Sequence, residues 1–199
     1  MNNLSSSDYH GLEKRKRDFH INKILKNPKQ SWNQFYDRNK EKFYKNRHWT
    51  LKELPISLLD KSIEFIEFGC GVGNTIIPIL KEKDDWSCYG CDFSQNALDL
   101  LSNQLKDLST RCVSFLCDIS SQLISNIIPN KSFDLCFLIF VLSSISPDNF
   151  EFVIKNICSI LNSGGYVFLR DYGIDDAAMH RFKKESMITS NFYFRKESK

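Results

Sequence analysis

The sequence predicts an α/β protein: a doubly wound, mostly parallel sheet with helices on both faces, preceded by a helical N-terminal extension. Three observations predict it. From residue 63 onward, short apolar strands alternate with amphipathic helical segments. The segment Phe133–Phe140 is apolar on both faces, as a central parallel strand is. A glycine cluster follows the first strand, where an open parallel sheet places its ligand.

The elements follow in order. Residues 1 to 30 are polar and charged, contain Lys14-Arg15-Lys16-Arg17, and read as a basic, frayed or helical arm. Residues 31 to 60 are aromatic and basic. Trp32, Phe35 and Tyr36 at i, i+3, i+4 share one helix face. Residues 61 to 199 hold the sheet. Ile63–Phe68 is the first strand and Thr75–Lys83 a helix, then Trp86–Cys91 is a strand followed by a helix that Ser94 caps. Cys112–Cys117 is the third strand, a short polar helix or turn precedes the fourth, and Pro147–Leu161 is a helix ended by Asn162-Ser163-Gly164-Gly165. Tyr166–Arg170 is the fifth strand. Right-handed crossovers join such units.

Composition narrows the function. With 199 residues, 42% of them hydrophobic, the chain buries a core without needing disulfides. Seven cysteines, an odd number, fit reduced thiols in the cytoplasm or nucleus. No apolar run approaches the roughly 20 residues that span a membrane, and the first 20 residues carry Asp8, Glu13 and Asp18 without an apolar stretch, unlike a signal peptide. Secreted, fibrous and membrane classes are therefore not expected. The net charge of +3 hides a segregation: residues 1 to 61 carry +7, residues 62 to 178 carry −8 and residues 179 to 199 carry +4. Basic ends suit a polyanion such as nucleic acid, although a solvated basic helix gives the same pattern.

The loops after the strands carry the chemistry. Glu67-Phe68-Gly69-Cys70-Gly71-Val72-Gly73-Asn74 lets main chain approach a ligand closely. The dinucleotide pattern would need glycine where Asn74 stands, so the loop reads G-x-G-x-G with an acid ahead of it. Asp92 ends the second strand, where a carboxylate accepts both hydroxyls of a ribose. Asp118 and Ile119 end the third, offering a carboxylate for an adenine amino group and an apolar contact for the ring. A carboxylate that merely caps a helix N-terminus is the alternative for each acid. Cys88 and Cys91 form C-x-x-C but lie within a strand and point to opposite faces, so no metal is expected.

The glycine loop resembles the first motif of S-adenosylmethionine-dependent methyltransferases. Further segments sharpen the likeness: Ser31-Trp32-Asn33-Gln34-Phe35-Tyr36, Arg47-His48-Trp49-Thr50, Cys91-Asp92-Phe93-Ser94, Leu138-Ile139-Phe140-Val141-Leu142-Ser143, Arg170-Asp171-Tyr172-Gly173, Arg181-Phe182-Lys183 and Asn191-Phe192-Tyr193 occur in that order. From about Trp32 to Arg195 the chain resembles the methyltransferase-like enzymes that form 3-methylcytidine in the tRNA anticodon loop. The resemblance implies a Rossmann-like domain over residues 31 to 199. It implies S-adenosyl-L-methionine as cofactor, held by Gly69, Gly71, Asp92, Asp118, Ile119 and Ile139 and covered by Trp32 and Tyr36. It also implies tRNA as substrate and an aminoacyl-tRNA synthetase as a candidate auxiliary partner.

For methyl transfer to a cytosine N3, Asp171 is the first candidate for a carboxylate that stabilises the charge growing on the base, with Arg170 and Tyr172 beside it. Pairing of Asp171 with Arg170, or capping of the next helix, is the alternative. Lys14, Arg15, Lys16, Arg17, Arg47, His48, Arg181 and Lys183 are the candidate RNA contacts, and His180 lies on the same rim. The family's sheet normally has seven strands and five are counted here, so the last strands are expected to be missing; a fragment, a divergent short form and a truncated gene model each account for that. The stretch after Thr50 is also shorter than usual. Methylation of a small molecule or protein, and a weak or inactive RNA-binding relative, are the rival functions.

Overall fold

A computed structural model of the chain describes residues 15, 17–19, 21, 22, 27–183 and 186–193. The chain divides into two units, Trp32–Asp171 and a smaller one made of Met1–Ser31 with Tyr172–Lys199. Five strands, β1 (Glu64–Phe68), β2 (Ser87–Asp92), β3 (Cys112–Leu116), β4 (Phe133–Ile139) and β5 (Leu161–Arg170), form one sheet in the order β3-β2-β1-β4-β5. Every pairing in it is parallel. This is the doubly wound sheet expected from the sequence.

The helices whose bounds are described are α1 (Pro28–Asn39), α2 (Ile56–Leu59), α3 (Ile76–Glu82), α4 (Gln95–Leu105), α5 (Ile124–Ile127) and α6 (Phe150–Cys158). β1 lies at the centre, and its side chains divide between two cores. Phe65 packs with Leu58, Ile76, Leu80 and Leu101 from α2, α3 and α4. Ile66 and Phe68 pack with Ile124, Val153 and Ile157 from α5 and α6. All three β1 side chains are fully buried, each burial contributing roughly 1.5–3 kcal/mol. Trp86 is buried too, and its indole N–H donates to the Lys61 carbonyl at 2.8 Å. The Arg111 guanidinium reaches the carbonyls of Leu80, Lys83 and Trp86, tying the end of α3 to the start of β2. Among the described residues no helix is long and apolar enough to cross a membrane.

Two elements depart from expectation. The helix expected from Pro147 to Leu161 is a 3-10 turn, Pro147–Asn149, followed by the shorter α6. The turn expected at Asn162–Gly165 falls inside β5: Phe133 pairs with Leu161 and Leu135 with Tyr166, so the register jumps across a bulge where Gly164 has φ +78°. Smaller shifts move strand and helix ends by a residue.

In the smaller unit, β6 (Met187–Thr189) and β7 (Phe192–Tyr193) form an antiparallel hairpin. Arg17 donates to the Met187 carbonyl at 2.6 Å, and the Phe182 and Tyr193 rings stack 5.2 Å apart. Asp176 accepts the Ala178 and Met179 N–H groups, both at 2.8 Å.

Candidate functional site

The sheet order reverses between β1 and β4, so the loops at their carboxyl ends diverge and leave a crevice. The glycine loop turns there. Gly69 (φ +60°) and Gly71 (φ +53°) occupy the left-handed region that other residues avoid. A Cβ on Gly69 would stand 2.6 Å from a Val141 methyl, and one on Gly71 would stand 2.7 Å from the Tyr36 hydroxyl. Both the backbone and its neighbours therefore demand glycine.

Asp92, at the end of β2, is only 6% exposed. Its Oδ2 accepts the Gly71 N–H and its Oδ1 the Ser94 N–H, each at 2.9 Å. Burial pushes its carboxyl up to about 6, against the pull of these backbone donors. Each carboxylate oxygen keeps lone-pair capacity beyond one N–H bond, which is what ribose hydroxyls require. Glu67, two residues before Gly69, is 3% exposed, and its Oε2 has no hydrogen-bond partner among the described residues. Burial raises its carboxyl to about 8; the nearby charge of Asp92 adds to the rise and that of Arg47 opposes it.

At the end of β3, Asp118 Oδ1 accepts the Ser120 N–H and hydroxyl at 2.9 and 2.6 Å, closing a tight turn. The Asp118 N–H donates to Gln122 Oε1 at 2.7 Å. Ile119 is buried on the α5–α6 face, whereas Ile139 is buried on the opposite face. Buried Asn156 on α6 holds this turn from behind, donating to the Gln122 carbonyl at 2.7 Å and accepting the Ile124 N–H at 3.0 Å. Trp32 and Tyr36 share one face of α1, their rings 6.0 Å apart, and Tyr36 is buried with Val72 and Ala97.

On the other side of the crevice, Asp171 Oδ2 accepts the Ser143 N–H at 3.0 Å, tying the end of β5 to the loop after β4. Arg170 does not turn to Asp171. It pairs with Glu53 at 2.9 Å and lies over the Trp49 ring at 4.1 Å. Arg47 lies 5.0 Å over the Phe140 ring, and its N–H donates to the Asn74 carbonyl at 2.8 Å. Phe140 itself has φ +59°, a strained setting for an aromatic residue. His48, Arg15, Arg181 and Lys183 are exposed, as is Tyr172 in the smaller unit. Lys14 and Lys16 lie outside the described residues.

Trp32, Tyr36, Gly69, Gly71 and Asp92 thus come together. Sequence reading overlooked Val141 over Gly69 and the Phe140–Arg47 stack. The positive φ at Phe140 leaves no mark in composition or spacing.

A family model described as a methyltransferase domain matches residues 66–167. The chain is 39% identical over 186 residues to the tRNA N(3)-cytidine methyltransferase METTL6 of Homo sapiens, covering 90% of this chain and 65% of the human protein. It is 38% identical to the protein of that name from Rattus norvegicus, covering 93% of this chain and 68% of the rat protein. It is 37% identical to the tRNA N(3)-methylcytidine methyltransferase trm140 of Schizosaccharomyces pombe, covering 86% and 58%. The chain thus spans about two thirds of the length of its METTL6 relatives. Among solved structures, the glycopeptide N-methyltransferase MtfA shares the fold with a TM-score of 0.53 at 18% identity, over 63% of this chain and 53% of that one. By its sequence likeness to these relatives, with the sheet and glycine loop that accompany it, the chain belongs to the family of tRNA N(3)-cytidine methyltransferases.

Proposed function

We propose that the chain binds S-adenosyl-L-methionine and methylates N3 of a cytidine in the tRNA anticodon loop. The buried carboxylate of Asp92, braced by the Gly71 and Ser94 N–H groups at the mouth of the crevice, carries this reading. The residues present fit the cofactor: Gly69 and Gly71 leave main chain open to it, and the unpartnered Glu67 Oε2 supplies a buried polar group nearby. When bound, the cofactor supplies an electrophilic methyl group on a sulfonium.

In this reading Asp92 accepts from the ribose, Asp118, Ile119 and Ile139 bound the adenine side, and Trp32 and Tyr36 exclude water above. The cytosine N3 lone pair is free in the neutral base, so no side chain needs to remove a proton. Alignment then dominates, with reacting atoms roughly 3–3.5 Å apart. N3 lies on the pairing edge, so the target base must be unpaired or splayed out. Asp171, held by the Ser143 N–H, is the carboxylate that stabilises charge developing on the base. Arg170 and Tyr172 flank it in sequence, while Arg47, His48, Arg181, Lys183 and the arm from Lys14 to Arg17 meet phosphate.

The test is to incubate the chain with labelled cofactor and total tRNA and to identify the methylated nucleoside, with and without added aminoacyl-tRNA synthetases. The expected product is 3-methylcytidine. Label in another nucleoside, or none in tRNA under either condition, overturns the reading.

A further inference from the structure

Helix α1 carries two stripes set one residue apart. Trp32 and Tyr36 form the aromatic stripe over the glycine loop. Asn33 and Asp37, at the same i, i+4 spacing, form a polar stripe rotated by about 100° around the helix axis. The polar stripe is fastened to the start of α4. The Ser94 hydroxyl donates to Asn33 Oδ1 at 2.6 Å, and Asn96 Nδ2 donates to Asp37 Oδ1 at 2.7 Å and to the Asn33 carbonyl at 3.4 Å.

Ser94 is fully buried and joins three parts of the site. Its N–H is held by Asp92 Oδ1, its hydroxyl oxygen accepts the Ala97 N–H at 3.3 Å as the cap of α4, and its hydroxyl proton goes to Asn33. A hydrogen bond on one stripe of a helix fixes the direction in which the other points. Aromatic packing alone leaves a short helix free to roll, because apolar contacts are not directional; a hydroxyl–amide bond is directional.

We propose that Asn33 is a positioning residue of the cofactor site: through Ser94 it locks the rotation of α1, and so the aim of Trp32 and Tyr36, to the turn that holds Asp92. Asp37 and Asn96 form the outer half of the same latch. The inference rests on the reading of this crevice as the cofactor site, and it adds residues that act on the ligand through Trp32 and Tyr36 without touching it.

The test pairs ligand affinity with a measurement on the ligand-free protein. Asn33→Ala and Ser94→Ala should each weaken S-adenosylhomocysteine binding by about tenfold in calorimetry, the scale of one lost partly buried hydrogen bond. The double variant should bind no worse than the weaker single one, because both remove the same bond. Ser94→Thr keeps the hydroxyl and should restore affinity. Asp37→Ala, at an exposed position that tolerates change, should cost about two- to threefold. In the ligand-free protein, hydrogen exchange over residues 32–39 should quicken in Asn33→Ala while β1 and β4 stay protected. Unchanged exchange over 32–39, additive losses of affinity, or exchange rising throughout the sheet overturns the latch. Failure of the wild-type chain to bind S-adenosylhomocysteine overturns the cofactor reading instead, and the exchange measurement still decides whether Asn33 holds the helix.

Discussion

The hydroxyl of Tyr36 stands 2.7 Å from the point at which a side chain on Gly71 would begin. One residue comes from the helix before the sheet and the other from the turn after the first strand, and each limits what the other can be. Any substitution at Gly71 therefore acts on the glycine loop and on the aromatic cover together.

Gly71→Ala should both strain the loop and displace Tyr36. Holding a non-glycine residue at positive φ costs roughly 1–2 kcal/mol, a drop in melting temperature of about 2–8 °C. Affinity for S-adenosylhomocysteine should fall by more than tenfold, beyond what the stability loss explains, because the Gly71 N–H also braces Asp92. Calorimetry on the variant checks this; full binding with only a lowered melting temperature would contradict it.

Stability should decline as pH rises. Burial lifts the Glu67 carboxyl from 4.5 to about 8, so the folded chain holds a proton that the unfolded chain has released between those values. The stabilisation is complete below about pH 4.5 and is lost as pH climbs to 8, with a slope of at most about 1.4 kcal/mol per pH unit. Asp92, lifted from 3.8 to about 6, adds a slope of the same sign in the lower window. Thermal melts of ligand-free protein from pH 5 to 8 should show the decline. Glu67→Gln should flatten it above pH 6 and leave the Asp92 part below; parallel curves for the two proteins would refute the assignment.

Binding of tRNA should be mainly electrostatic. Affinity should fall with salt at a log–log slope of about 0.7 to 0.9 per phosphate neutralised. Replacing Lys14, Arg15, Lys16 and Arg17 with alanine should flatten that slope while S-adenosylhomocysteine affinity stays put. A titration series at increasing salt measures both, and an unaltered slope would remove the arm from the RNA surface.

The parts of this molecule legible in sequence are those governed by one residue type at one place in the alternation. The largely apolar run Phe133–Phe140 announces a strand buried on both faces, Gly69 and Gly71 a tight loop, and Asp92 a carboxylate at a strand end. What stayed hidden depends on partners far apart in the chain. Arg170 reaches Glu53 across 117 positions and Ser94 reaches Asn33 across 61, and no local pattern ties such pairs together. In sequence, Asn162–Gly165 marks only the end of a helix, because glycines stop a helix whether or not the flanking residues pair with β4.

The order β3-β2-β1-β4-β5 has a consequence for how the proposed activity can diversify. The strand ends proposed to grip the nucleoside are those of β1, β2 and β3, joined by Ile139 at the end of the neighbouring β4, and the carboxylate proposed to meet the methyl acceptor, Asp171, follows β5 at the edge of the sheet. In the proposed reading, donor and acceptor chemistry thus fall on largely separable parts of one scaffold. On that reading, replacement of Asp171 retunes what is methylated without rebuilding the donor part, whereas a lesion at Gly71 or Asp92, or at Val141 packed over Gly69, would disable the molecule toward every acceptor alike.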